Sequence, residues 1–336
     1  MLLAAGACSA LASAGPIQLV EAVQPPAEVA ALTDLGPLEP RPPRLHLPPD
    51  PTPTPTPAPT MAAPAPAPVR VAVAAARAIP LPVIDAQEIA LVNLDTGRFL
   101  WQSHSGMAWA PASLTKIFTA MVAVDVLGLS ATVTVPSSIA QLPGDSTLMG
   151  LSPGERVTVR ELLYGVFLNS GNDAAETLAT GATSRATFIA DMNAKAARLG
   201  LRITHFLNPT GLDQPGHYSS AHDLAIAAMY LESHYGSLVT IAATPSITFP
   251  ATASHKAFNL VSLDKLLWTY PGTYGLKTGW TDAALGCLIT TSSRGGHRLL
   301  AVMLGAPAGT AYAQMPKVLD YGFQLLGVLP RPPSVP

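Results

Sequence analysis

Cysteine and charge are both scarce in this 336-residue chain. There are two cysteines, Cys8 and Cys287. Cys8 lies at the N-terminus. Cys287 sits in the apolar run Leu285-Gly-Cys-Leu-Ile-Thr. A bridge between them is not expected, which excludes a disulfide scaffold. Cys287 reads as a small core residue rather than a reactive thiol. Charged residues make up 12% of the chain and the net charge is −2. That is too little charge for the basic stripe of a nucleic-acid binder. No apolar run reaches the roughly 18 residues that a spanning helix needs, so no clear membrane span is present.

Proline, by contrast, is plentiful and unevenly placed. Of 34 prolines, 14 fall between Pro37 and Pro68. Each removes a backbone donor and fixes φ, so this stretch builds neither ladder nor helix. It is expected to be an extended, solvated polyproline II spacer. At about 3.1 Å per residue it would reach roughly 100 Å. The organisation expected is therefore a leader over 1–14, a proline-rich disordered linker over 15–82, one domain over 83–328 and a tail over 329–336. About 250 residues suffice for one well-buried core. Two processing signals compete in the leader. Ala12-Ser-Ala14 has the A-x-A form of a signal-peptidase site, and Ala5-Gly-Ala-Cys8 resembles a lipidation site. The apolar stretch is short and lacks a positive flank, which points to a start upstream and a clipped signal.

Within the domain, Glu88–Asp95 and Arg98–Ser103 read as a hairpin turned at Asp95-Thr-Gly97. Leu114–Leu129 keeps helical spacing, with apolar residues at 114, 117, 118, 121, 122 and 126. Thr158-Val-Arg-Glu161 is a capping box opening a helix over 162–169. Ser170-Gly-Asn172 interrupts that helix, which restarts over 173–180. A helix broken at a polar triplet between apolar segments is the kind of rule-break expected at a functional site. Arg185–Leu199 and Ala221–Tyr230 are further helices, the latter capped by Ser219 or Ser220. Asn208–Asp213 is a turn-rich loop. Gly275–Trp280, Leu285–Ser292 and His297–Gly305 read as an antiparallel meander, and Met315–Leu326 as a final helix. The expected fold is α/β of the α+β kind: one antiparallel sheet drawn from both ends, flanked by helices, with an inserted helical lobe.

Three short motifs carry chemistry: Ser113-Leu-Thr-Lys116, Ser170-Gly-Asn172 and Lys277-Thr-Gly279. Ser113 and Lys116 stand three apart on a helix and so share a face. A serine hydroxyl needs a base to attack. A lysine among Ile117, Phe118 and Met121 can lose its proton, because burial disfavours its charge. Backbone N–H groups of the first turn favour a developing oxyanion. Ser170 offers a hydroxyl to relay a proton, and Asn172 an amide to hold a substrate backbone. Lys277 and Thr278 can face an anionic group. Gly279 leaves room for a peptide to lie against the strand. Each motif alone is weak. Their joint order and context describe one active site.

These motifs resemble those of the serine-type D-alanyl-D-alanine carboxypeptidases, the low-molecular-mass penicillin-binding proteins. The resemblance extends to Glu161–Ala175, Asn208–Asp213, His217–Ala225 and Tyr270–Asp282, and spans roughly Ile84 to Leu326. It implies a β-lactamase/DD-peptidase-like fold and an acyl-enzyme formed on Ser113. Lys116 would act as base and Ser170 as proton relay. Asn172, Lys277, Thr278, Gly279 and Trp280 would bind substrate, with the oxyanion on the N–H groups of Ser113 and Trp280. It also implies a bacterial extracytoplasmic protein acting on stem peptides ending in D-Ala-D-Ala and inhibited by β-lactams. No cofactor, metal or nucleic acid is implied. Membrane contact would come through an N-terminal anchor, since the C-terminal β-domain and anchor helix of many relatives are not expected here.

Two departures stand out. Where many relatives carry Asn-x-Asn, this chain has Ser262-Leu-Asp264. Where some carry an arginine after the last strand, Ala306–Tyr312 has no basic residue. Rival readings are a DD-endopeptidase using the same Ser113, a β-lactamase, and a non-catalytic wall-peptide binder. The β-lactamase needs a glutamate to activate water, and none lies between Thr177 and Leu231. A zinc peptidase on His205, His217, His222 and Asp213 matches no compact metal spacing.

Overall fold

The computed structural model describes residues 79–329. The expected leader with Cys8, the proline-rich stretch as far as residue 78 and the tail beyond 329 lie outside the described residues.

The hairpin β1 (Glu88–Asn93) and β2 (Arg98–Ser103) forms as its alternation predicts. A short 3₁₀ turn over Ala112–Thr115 then leads into α1 (Lys116–Leu127). The helix expected from Leu114 thus begins two residues later, because the chain first makes a tighter turn. Strands β3 (Thr132–Thr134) and β4 (Arg156–Thr158) pair as a small hairpin. In α2 (Val159–Phe167) both halves of the capping box close, with Thr158 Oγ1 accepting from Glu161 N and the Glu161 carboxylate accepting from Thr158 N. Such a cap contributes about 1 kcal/mol. The break at Ser170-Gly171 separates α2 from α3 (Asn172–Ala182). Helix α4 (Arg185–Arg198) follows. Ser220 caps α5 (Ala221–His234) by accepting from Asp223 N, whereas the Ser219 hydroxyl bonds to Thr204. After α6 (Gly236–Ala242) comes a second small hairpin, β5 (Ser246–Phe249) and β6 (Phe258–Val261). One helical turn, α7 (Leu266–Thr269), precedes the meander of β7 (Thr273–Thr281), β8 (Leu285–Arg294) and β9 (His297–Ala306). Helix α8 (Ala311–Leu325) closes the domain.

The main sheet has the order β2-β1-β9-β8-β7 and every pair in it is antiparallel. The first strand therefore lies beside the last, and the segment from α1 to β6 is inserted between them. This is the sheet built from both ends that the sequence predicts.

Period-two alternation sends the side chains of one strand to two different cores. From β1 and β9, Leu91, Leu299, Ala301 and Met303 pack with Met315, Val318, Leu319 and Phe323 of α8. Their neighbours Ala90, Val92, Leu300 and Val302 pack with Leu224, Ala225 and Ala228 of α5. Both faces are covered, which is why these strands read as nearly continuous apolar runs. Each fully buried Leu or Phe contributes about 1.5–3 kcal/mol. The sheet is thereby a fixed wall, and β7 stands at its edge next to the turn that carries Ser113.

Candidate active site

A cleft of about 690 Å³ opens where the 3₁₀ turn, the α2–α3 break and β7 meet. Ser113, Ser170, Asn172, Thr278, Gly279 and Trp280 all line it. Lys116 and Lys277, the other two residues expected here, are 0% and 1% exposed. They stand buried against these side chains rather than on the open wall.

Local backbone geometry explains how Ser113 is presented. Ala112 has φ +47°, a left-handed conformation that costs a residue with a Cβ about 1–3 kcal/mol. Ser170 has φ +54°. Two of the three motifs are therefore set on bends that an unconstrained chain would avoid. Neighbouring loops hold them there. Asn172 N donates to Thr147 O at 2.8 Å, and Thr147 Oγ1 donates to Ser170 O at 2.9 Å. The Asp173 carboxylate accepts from Met149, Gly150 and Leu151 N at 2.8, 2.8 and 2.9 Å. This gives the first turn of α3 a charge that complements its dipole.

Lys116 is positioned by three oxygens. Its Nζ lies 2.8 Å from Ser113 Oγ, 2.7 Å from Asn172 Oδ1 and 2.6 Å from Thr210 O. Burial holds its pKa well below the usual lysine value, and the nearby charge of Lys277 pushes in the same direction. A neutral amine has two N–H bonds and one lone pair. Asn172 and Thr210 offer only acceptor oxygens to it, so they take the two protons. The lone pair is left for the proton of Ser113 Oγ. With Lys116 neutral, the arrangement can therefore take the Ser113 proton and leave its oxygen nucleophilic.

Lys277 Nζ donates to Ser170 Oγ at 3.0 Å and to the Thr278 carbonyl at 2.8 Å. Ser170 thus accepts from one lysine and keeps its own proton to donate elsewhere. Burial lowers Lys277 to about 7, with Asp264 opposing the shift. Asp264 is itself buried and pushed up to about 6 by that burial, with its backbone bond from Leu266 and the charge of Lys277 pulling it down. The departure noted at Ser262-Leu-Asp264 therefore places a titratable carboxyl where it acts electrostatically on Lys277. Among the described residues lining the cleft, none is Lys, Arg or His. Tyr312 takes a place on that wall, its hydroxyl donating to Leu263 O at 2.7 Å.

Gly279 passes close to the turn that carries Ser113. A Cβ there would stand 3.0 Å from Ala112 Cβ and 3.1 Å from Ser113 N. Only the missing side chain lets β7 approach this closely. Trp280 follows on the rim, 48% exposed.

Sequence reasoning missed three participants. Thr210 acts through a backbone carbonyl, which no side-chain motif reports, although the Asn208–Asp213 loop was visible as a turn. Asp173 and the loop it holds were visible only as the residue following a motif. Tyr312 became relevant only once the fold brought the start of α8 to the cleft. Of the histidines considered for zinc, His217 has both ring nitrogens taken by Thr115 and Leu207, and His222 stacks on Phe99.

A family model described as D-alanyl-D-alanine carboxypeptidase, peptidase S11, matches residues 73–308. The chain is 38% identical to D-alanyl-D-alanine carboxypeptidase DacB2 of Mycobacterium tuberculosis over 258 residues, 74% of this chain and 85% of that one. It is 38% identical to DacF of Bacillus subtilis over 246 residues, 71% of this chain but 62% of that one, so it spans less than two thirds of that relative. The solved structure of a D-alanyl-D-alanine carboxypeptidase from M. tuberculosis aligns with TM-score 0.68 and 36% identity, covering 77% of this chain and 96% of that one. The Streptomyces K15 DD-transpeptidase aligns with TM-score 0.68 and 30% identity, covering 73% and 100%. The family match spans the segment that folds around Ser113, and the chain belongs to the D-alanyl-D-alanine carboxypeptidase family, peptidase S11.

Proposed function

We propose that this protein is a serine D-Ala-D-Ala carboxypeptidase that removes the terminal D-alanine from peptidoglycan stem peptides outside the bacterial cytoplasm. The observation that carries this reading is Lys116. It is a fully buried amine, held by two acceptors, with its Nζ 2.8 Å from Ser113 Oγ.

In this reading the peptide lies along β7, with its terminal carboxylate toward Thr278 and the charge of Lys277. Ser113 Oγ attacks the carbonyl between the two D-alanines as its proton passes to Lys116 Nζ. The oxyanion is met by the N–H groups of Ser113 and Trp280. The C–N bond then breaks. The departing amine takes the proton from Lys116 through the Ser170 hydroxyl. Water attacks the ester, its proton returns to Ser113, and the shortened peptide leaves. β-Lactams would acylate the same oxygen. No step requires a metal or a cofactor.

The test is release of D-alanine from a stem pentapeptide ending in D-Ala-D-Ala, run beside a cross-linked dimer that lacks a free D-Ala-D-Ala end. Release from the pentapeptide, lost in Ser113→Ala, supports a carboxypeptidase. Cleavage of the dimer alone would move the reading to an endopeptidase with the same Ser113 chemistry.

A further inference from the structure

His217 lies outside the three motifs, yet its ring joins the two segments that position the nucleophile and its base. Thr115 sits between Leu114 and Lys116 on the nucleophile turn. Its Oγ1 is 2.9 Å from His217 Nε2. On the opposite side of the ring, Leu207 N donates to His217 Nδ1 at 3.1 Å. A backbone N–H can only donate. Nδ1 is therefore the acceptor, and a neutral ring must carry its proton on Nε2. That proton points to Thr115 Oγ1. The ring is 6% exposed and stands edge-to-face against Phe206, which packs on Phe118 of α1. Burial keeps it neutral, pushing it down to about 4, with His205 adding to the shift and Asp213 opposing it.

The loop on the Leu207 side is the one that serves Lys116. Three residues after Leu207, Thr210 O accepts from Lys116 Nζ at 2.6 Å. Gly211 then presses on the Ala112 carbonyl. Tyr218, the residue after His217, pairs with His205 through reciprocal backbone bonds of 2.9 and 3.0 Å, so the ring has a fixed base. The loop that orients the general base and the turn that carries the nucleophile are thus tied by one imidazole.

We propose that His217 is a positioning residue for acylation, its Nε2–H fixing Thr115 and its Nδ1 fixing Leu207 so that Ser113 and Lys116 stay in register. The proposal rests on the acyl-enzyme reading above. It predicts a defect in the chemical step rather than in substrate capture, since the ring's hydrogen bonds go to Thr115 and Leu207 and not to β7.

The experiment measures penicillin acylation by stopped-flow together with thermal melts, and kcat and KM on the pentapeptide. Thr115→Val keeps the side-chain shape and removes only the acceptor for Nε2–H. It should slow acylation about tenfold, because small misplacements of reacting groups cost that much or more. KM should stay within about twofold of wild type. His217→Ala should do the same, and the Thr115→Val/His217→Ala double variant should be no slower than His217→Ala alone. His217→Gln, which restores a donor toward Thr115, should recover to within about threefold of wild type. The proposal is overturned if Thr115→Val acylates at the wild-type rate. It is equally overturned if His217→Ala lowers the melting temperature while its folded fraction acylates normally. If wild type itself forms no acyl-enzyme, the functional reading fails and this inference falls with it.

Discussion

Gly211 lies backbone to backbone against Ala112: a Cβ at 211 would come within 1.8 Å of the Ala112 carbonyl oxygen. Gly211 also has φ +83°, where a side chain is strained whatever the space. Ala112 in turn holds the left-handed bend that presents Ser113. The two residues fix the turn that carries Ser113. Gly211→Ala is therefore expected to destabilise the domain by about 3 kcal/mol or more and to abolish acylation in whatever remains folded. Thermal melts and a penicillin-labelling assay check both outcomes.

Asn172 shares Lys116 with Thr210, and its charge state matters as much as its shape. Asn172→Asp would place a carboxylate 2.7 Å from Lys116 Nζ in a buried site. An anion there favours the ammonium form and so raises the lysine pKa. Lys116 would then hold its proton to higher pH. Acylation should fall about a hundredfold at pH 7 and recover in part as pH rises. A pH–rate profile without recovery on the alkaline side would argue against Lys116 as the base.

Lys277 should impose an alkaline limit on substrate capture. Its pKa is lowered to about 7 by burial, so the free protein loses that positive charge as pH rises through about 7. A lowered lysine pKa means charge is lost earlier, not later, on the way to high pH. The kcat/KM for a peptide with a free terminal carboxylate should decline above that pH, since this ratio reports the free enzyme. An amidated analogue, with no carboxylate to bind, should lack this limb. Equal limbs for the two peptides would remove Lys277 from carboxylate recognition.

Glu88 gives a stability signature far from the chemistry. It is fully buried, its Oε2 accepts from Ala221 N at the start of α5, and burial raises its pKa from 4.5 to about 7. The folded protein therefore holds one more proton than the unfolded chain between those two values. The stabilising contribution of this carboxyl is fully present below about 4.5 and is lost as pH rises through about 7. The loss is at most about 3 kcal/mol. Glu232, also raised to about 7 by burial, acts in the same window. The comparison that isolates Glu88 is the change in melting temperature from pH 5 to pH 8 in wild type against Glu88→Gln. The variant should lose less.

Most of this site was legible because its parts are local. The capping box at Thr158–Glu161, the break at Ser170-Gly-Asn172 and the spacing of Ser113 and Lys116 all fall within a few residues of sequence. The sheet drawn from both ends followed from strands at the two ends with a helical block between. What stayed hidden depends on distant pairs. The 3₁₀ turn before α1 exists because Gly211 and Gly279, about a hundred residues or more away, allow Ala112 its bend. Strands β4 to β6 are each three or four residues long, too short for alternation to register. Thr210 acts through its carbonyl and His217 through a tautomer set by a backbone donor, so neither leaves a side-chain pattern to read. Asp264 was noticed as a departure, but its bearing on Lys277 came only from burial.

The central claim is that Ser113 is the nucleophile and Lys116 its base. Intact mass after incubation with penicillin tests it most directly, on wild type, Ser113→Ala and Lys116→Ala, each checked for a folded melt. The account predicts a stoichiometric covalent adduct on wild type and none on Ser113→Ala. Lys116→Ala should label slower by about a thousandfold or more. An adduct of equal yield and rate on folded Ser113→Ala, or no adduct on folded wild type, would contradict it.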